Sequence, residues 1–169
     1  MAIHVMHDIE TWGVGNKAMP VSIGAVKFDG NDIIDKFHVG IDPEDAQRYG
    51  VEIDAGTMLW WMSEERDAAR KEWLALPKVD MFAALDGYAM WVAETPTGEL
   101  GSLWGNGATF DNVILRSACD AAGLDYPVKF FKDECYRTVK NRCKDVEFVH
   151  IGTHHSAVDD AASQALHLM

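Results

Sequence analysis

The sequence predicts an α/β domain: a five-stranded mixed sheet with helices on both faces. Three observations predict it. Segments 3–7, 21–28 and 33–40 are short and rich in Ile, Val and Phe, and a turn containing Asp-Gly joins the last two. After residue 57 the chain takes on helical texture, with apolar residues at helical spacing in the last segment. Between and after those helices, Leu100 to Gly105 and Lys129 to Phe131 are apolar runs of strand length. Strand-sized runs bounded by turn residues, alternating with helical periodicity, imply a sheet with helices packed on its faces. The order suggests an antiparallel meander followed by parallel β-α-β additions.

Each element follows from local signals. Ile3-His4-Val5-Met6-His7 opens the first strand, Val21 to Phe28 is the second and Ile33 to Gly40 the third. Asp29-Gly30-Asn31-Asp32 makes the link between the second and third a hairpin. Residues 41–56, rich in Asp, Gly and Glu, are expected as loop. Ser63 is placed as the N-cap of a helix that runs to Ala75 and stops before Pro77. A further helix is expected from Val79 to Ala93, broken by Thr95-Pro96-Thr97-Gly98. Thr109 is placed as the N-cap of a helix to Ala122, with Gly123 as its stop. Arg137 to Cys143 is expected as a short helix. The last helix is expected from Ser156 to the chain end, with Ala157, Val158, Ala161, Ala162, Ala165 and Leu166 at helical spacing. No repeat or linker interrupts the chain, so one domain over residues 1–169 is expected.

Composition narrows the function classes. The chain has 169 residues, 48% hydrophobic and 25% charged, the composition of an ordinary globular domain. No run of 18 apolar residues is present and the N-terminus lacks a signal-peptide pattern, so no membrane span and a cytoplasmic location are expected. Cys119, Cys135 and Cys143 form no C-x-x-C pair, which suits a reducing setting. The net charge of −12 has the wrong sign for a passive nucleic-acid coat. It leaves room for an enzyme that meets phosphate through bound cations. Lys129, Lys132, Arg137, Lys140, Arg142 and Lys144 form a local basic cluster, open to two readings: a solvated face or a phosphate-facing one.

Chemistry-bearing residues fall in three places. Asp8 and Glu10 follow an apolar strand on one face, roughly 6.5–7 Å apart at about 3.3 Å rise per residue. Like charges there repel and are costly to desolvate. A hard divalent cation removes that penalty. Asp111 falls in the first turn of its helix, where an acid is either a ligand or a partner of the helix dipole. Near the end, Ser156 suits an N-cap and Asp159 a capping-box partner. Asp160 turns toward the apolar face beside Ala157, Ala161 and Gln164, where a carboxylate needs a partner; His155 overhangs the same place or faces solvent.

Taken together, Asp8-x-Glu10, Asn106-x-x-x-Phe110-Asp111-x-x-x-Leu115 and His155-x-Ala157-x-x-Asp160-Ala161 resemble the three-motif signature of the DEDDh family of 3′–5′ exonucleases. The segments Met58 to Glu64, Ala68-Ala69-Arg70 and Cys135-Tyr136-Arg137-Thr138 are similar to a compact exoribonuclease-like branch of bacteria and phages. The pairs His154-His155 and Asp159-Asp160 are ambiguous by themselves; the family spacing selects His155 with Asp160.

The resemblance implies a ribonuclease H-like fold. It implies two Mg²⁺ or Mn²⁺ ions held by Asp8, Glu10, Asp111 and Asp160, with His155 as general base. The products would be nucleoside 5′-monophosphates released from single-stranded RNA or DNA 3′ ends, RNA favoured. Thr11 and Trp12 are expected to line the pocket for the terminal nucleotide. Trp12 or Trp61 is expected to stack on a base, with core packing as the other role for Trp61. Asn106 is a candidate polar contact to substrate, Phe110 a base wedge or core residue, and Arg137 a phosphate contact. A homodimer is common among such relatives. Two other classes compete: a ribonuclease H-like binding module without catalysis, and a zinc site from His150, His154, His155 and Cys143. The latter has no standard zinc spacing.

Overall fold

The computed structural model describes residues 2–95 and 100–169. Its sheet has six strands: β1 (Ile3–Thr11), β2 (Pro20–Phe28), β3 (Ile33–Ile41), β4 (Lys78–Val79), β5 (Leu100–Gly105) and β6 (Asp133–Cys135). Their spatial order is β4-β3-β2-β1-β5-β6. β1, β2 and β3 form the antiparallel meander, whereas β4, β5 and β6 each add in parallel. The hairpin turn is closed by Asp29, whose Oδ1 accepts from the amides of Asn31 and Asp32, and by Gly30 at φ 93°.

Helices cover both faces. They are α1 (Pro43–Ala46), α2 (Ala55–Trp61), α3 (Asp67–Ala75), α4 (Met81–Ala93), α5 (Asp111–Ala122), α6 (Tyr136–Arg142) and α7 (Ala157–Leu168). Val5 and Ile9 of β1 pack with Leu85 and Tyr88 of α4 and with Ile114 and Leu115 of α5. On the other face Met6 and Val26 pack with Ala161, Ala162 and Ala165 of α7. Strand alternation thus divides β1 between two cores.

The alanine stripe lets α7 lie low on the sheet. Contact is closest at Gly24, where an added Cβ would sit 2.1 Å from the amide nitrogen of Val158. Gly24 pairs with Asp8 across the β1–β2 ladder, so this contact holds the first turn of α7 against the strand position that carries Asp8.

Several expectations need correction. Six strands replace five because Lys78–Val79 pairs with the edge of β3, a two-residue strand with no periodicity of its own. Residues 129–131 do not form a strand. Phe130–Lys132 is a 3₁₀ turn, and the strand follows at Asp133–Cys135, whose polarity hid it. The expected loop at 41–56 contains α1, capped by Asp42, and the start of α2, capped by Asp54. Ser63 begins a 3₁₀ turn with no side-chain cap bond, and α3 starts only at Asp67. Asp80 caps α4, since Val79 belongs to β4. Phe110, not Thr109, precedes α5. The break at Thr95-Pro96-Thr97-Gly98 lies largely outside the described residues.

Candidate active site

The carboxylates converge at one end of the sheet because three elements end or begin there. Asp8 and Glu10 lie near the end of β1, Asp111 opens α5 just after β5, and Asp160 lies in the first turn of α7. Together with His155 they line an open cleft of about 630 Å³. Asp8, Asp111 and Asp160 are each held by a specific contact. Asp8 Oδ1 accepts from Gln164 Nε2 at 2.8 Å, one turn along α7 from Asp160. Asp111 Oδ2 accepts from the Asn106 amide at 2.7 Å and its Oδ1 from the Ile9 amide at 3.3 Å. Asp160 Oδ1 accepts from His150 Nε2 at 2.6 Å and its Oδ2 from the His155 amide at 3.0 Å.

Burial raises the proton affinity of Asp8, Glu10 and Asp111, and neighbouring carboxylates add to it for the first two. Burial, then Asp111, Glu10 and Asp160, push the Asp8 carboxyl well above the usual carboxylate range. Burial with Asp160, Asp111 and Glu72 does the same to Glu10, against the pull of Arg66. Asp111 is pushed up to about 6 by burial, with the Asn106 and Ile9 amides opposing. A set of hard oxygen donors, buried and carrying more like charge than the nearby arginines balance, fits a divalent cation. Single ligand atoms of Glu10, His155 and Asp160 lie within 4.8 Å of one another, a spacing that could hold a metal ion.

His155 occupies the turn before α7 with φ 64°, a left-handed conformation uncommon outside glycine. Its ring meets Trp60 edge-on, with centroids 4.9 Å apart. Burial and the neighbouring Arg66 lower its pKa from the ordinary value, so the ring is neutral near pH 7. Ser156 does not cap α7 with its side chain; its hydroxyl donates to Glu72 Oε1 and ties the helix start to α3. Asp159 is not a capping-box partner either. Its Oδ2 accepts from the Thr153 amide at 2.8 Å and orders the preceding turn.

The expected substrate contacts divide. Asn106, Phe110 and Arg137 line the cleft, and Arg137 Nε donates to Asn106 Oδ1 at 3.4 Å. Thr11 also lines it, although its hydroxyl is spent on Gly13 O at 2.7 Å. Trp12 does not line it. It follows the irregularity between Glu10 and Thr11 and packs on Trp73 with centroids 5.4 Å apart. Alternation no longer sets the side of a residue beyond such an irregularity. Trp61 reaches the cleft wall only as a buried residue, 5% exposed, its Nε1 donating to Thr11 O at 2.9 Å. Trp60, 40% exposed, is the more open of the two, with the Arg66 guanidinium over its ring at 4.2 Å from the centroid. Adjacent tryptophans in a helix point about 100° apart, and sequence alone does not say which of the two faces inward.

Gln164 carries no site expectation from the sequence, yet it lines the cleft together with Lys140 of the basic cluster and His150 of the competing zinc set. For Gln164 the i, i+4 step from Asp160 was an available signal. The basic cluster splits: Arg137 and Lys140 border the cleft, while Lys132 donates to Leu100 O away from it. All three cysteines are free, and Cys143 does not join the histidines that lie near Asp160.

A sheet of this order, covered on both faces, with carboxylates gathered at the ends of a strand and two helices, is a ribonuclease H-like nuclease fold. Among solved structures, the nuclease domain of 3′hExo, a DEDDh family member bound to rAMP, is similar, with a TM-score of 0.67 over 98% of this chain and 89% of that chain. At 14% identity the likeness is one of fold. The chain belongs to the Rv2179c-like 3′–5′ exoribonuclease domain family, whose family model matches residues 3–169. It is a 3′–5′ exonuclease. No curated protein sequence matches it. Among the described residues no helix is long and apolar enough to cross a membrane.

Proposed function

We propose that this chain acts as one exonuclease domain over residues 1–169 and removes nucleoside 5′-monophosphates from the 3′ ends of single-stranded RNA. The observation that carries the residue assignment is the convergence of Asp8, Glu10, Asp111 and Asp160 on one cleft with too little positive charge to balance them. These four acids would hold two Mg²⁺ or Mn²⁺ ions, which supply the charge that binds the scissile phosphate, makes a water easier to deprotonate and steadies the leaving 3′ oxygen.

The chain's own residues do the rest. His155 Nε2 or Nδ1 takes the proton of the attacking water, a task its lowered pKa permits at neutral pH. The perpendicular contact with the Trp60 ring limits its rotation. Gln164 holds Asp8, and the Asn106 and Ile9 amides hold Asp111, so the acids stay placed while charge changes hands. Trp60, partly exposed at the cleft with Arg66 over its ring, offers an aromatic surface to the terminal base, and Phe110 lines the cleft from the α5 side. Arg137 and Lys140 meet the phosphates that follow, which lets an acidic protein hold a short strand locally.

The test uses matched 5′-labelled single-stranded RNA and DNA oligonucleotides with Mn²⁺, Mg²⁺ or EDTA. A metal-dependent ladder shortening from the 3′ end, faster on RNA, is expected. Faster shortening of DNA would reassign the sugar preference. No shortening of either would remove the catalytic assignment of these residues.

A further inference from the structure

A second group of ligand atoms borders the carboxylates. His150 Nε2 contacts Asp160 Oδ1 at 2.6 Å, and the His150 and His154 rings stack with centroids 3.7 Å apart and planes 19° apart. One ligand atom from each of His150, His154 and Asp160 lies within 4.8 Å of the other two. Two imidazoles and one carboxylate suit a borderline transition metal, whereas Mg²⁺ prefers an all-oxygen set.

We propose that His150, His154 and Asp160 form a separate site for a divalent ion of the Zn²⁺ class, and that filling it switches the nuclease off by withdrawing Asp160 from the carboxylate cluster. The switch rests on the catalytic reading above; the binding site does not.

The geometry supports both parts. His150 and Asp160 are already in contact, with side chains 10% and 18% exposed, so two of the three ligands are held before an ion arrives. Asp160 Oδ2 is anchored by the His155 amide, which leaves Oδ1 turned to the histidines. Stacked rings carry their lone pairs in parallel planes, so one imidazole has to turn before both can meet one ion. His154 is exposed and can do so. With metal–ligand distances of about 2.0–2.1 Å, the ion takes the place of the proton between His150 Nε2 and Asp160, and that proton moves to Nδ1. Among the described residues Asp160 is the one shared by this group and the Glu10–His155–Asp160 group, which makes it the point of competition.

The experiment titrates the metal-stripped full chain with Zn²⁺ against a chromophoric chelator, for the parent, His154→Ala and Asp8→Asn. The expected result is one zinc equivalent, bound at least tenfold more weakly by His154→Ala and within twofold of the parent by Asp8→Asn. Undiminished affinity in His154→Ala, or an equal loss in Asp8→Asn, would overturn the site. In Mn²⁺-supported cleavage of labelled RNA, zinc should inhibit the parent at a concentration at least tenfold lower than it inhibits His154→Ala, each relative to its own zinc-free rate. Equal inhibition of the two overturns the switch. Absence of cleavage in every sample overturns the catalytic assignment and the switch with it, and the zinc titration still decides the site.

Discussion

The two faces of β1 bury polar side chains in opposite ways. On one face His7, fully buried, is satisfied within the fold. Its Nε2 donates to Asn112 Oδ1 at 3.1 Å and its Nδ1 accepts the Tyr88 hydroxyl at 2.7 Å. Burial lowers its pKa to about 4, so it stays neutral. On the other face Asp8 and Glu10 meet further carboxylates, and Asp8 has one neutral donor, Gln164. The same strand therefore carries a structural polar residue that closes its own network and functional ones that leave charge unbalanced. Burial alone does not distinguish them; the partners do.

The sharpest way to break this contrast is Asp8→Asn. Cleavage should fall by about 10³-fold or more, because a ligand of the charge-balancing site is lost. Thermal melts should show the metal-free variant as stable as the parent or more so, since a repulsive buried charge is gone. A large drop in melting temperature would mean that Asp8 is structural, like His7.

Gly24→Ala attacks the placement of the acidic face. Its Cβ would fall within 2.1–2.6 Å of the Ala157–Val158 backbone, so α7 must move. A loss of about 1–3 kcal/mol on urea denaturation is expected, with kcat falling more than KM rises because Asp160 travels with the helix. His7→Leu does the reverse. It should cost about 1–3 kcal/mol by stranding the Asn112 and Tyr88 groups, while cleavage at a permissive temperature stays within a few-fold.

Metal and pH sharpen the comparison further. The raised carboxyls bind protons more tightly folded than unfolded. Their contribution to metal-free stability is therefore fully present below the unfolded carboxylate range and is lost as pH rises through the folded values, about 6 for Asp111. His7 runs the other way: its contribution is present above 6.5 and is lost as pH falls toward about 4. Comparing melts with and without Mn²⁺ at each pH cancels the His7 effect. The Mn²⁺ shift should be roughly 5–10 °C at pH 8 for an ion near 100 times its Kd, and much smaller at pH 5. A shift independent of pH would mean that the ion binds elsewhere. The smallest effect is expected for Trp60→Ala. Loss of one stacked base, about 1–3 kcal/mol, should raise KM for short RNA, whereas Trp61→Ala should chiefly lower stability.

Much of this was legible along the chain. Strand alternation put Asp8 and Glu10 together and helical spacing turned Asp160 to the apolar side, while the resemblance to the DEDDh exonucleases paired it with His155. The fold class followed from the order of elements, and the family description accords with the exonuclease expectation. Short or polar elements were less legible. β6 is Asp133-Glu134-Cys135, with no apolar signal, and it is a strand only because β5 offers an edge to pair with.

Which groups could do chemistry is set along the chain, because residue type and local period are properties of sequence neighbours. Which of these groups meet depends on how the elements pack. That Trp60 rather than Trp61 opens to the cleft, that Trp12 turns to Trp73, that Gly24 seats α7 beside Asp8, and that His150 reaches Asp160 all depend on contacts between elements far apart in sequence. Local propensity carries no term for such contacts. They are set when the sheet and helices pack, by burial and by the demand that each buried polar group find its partner.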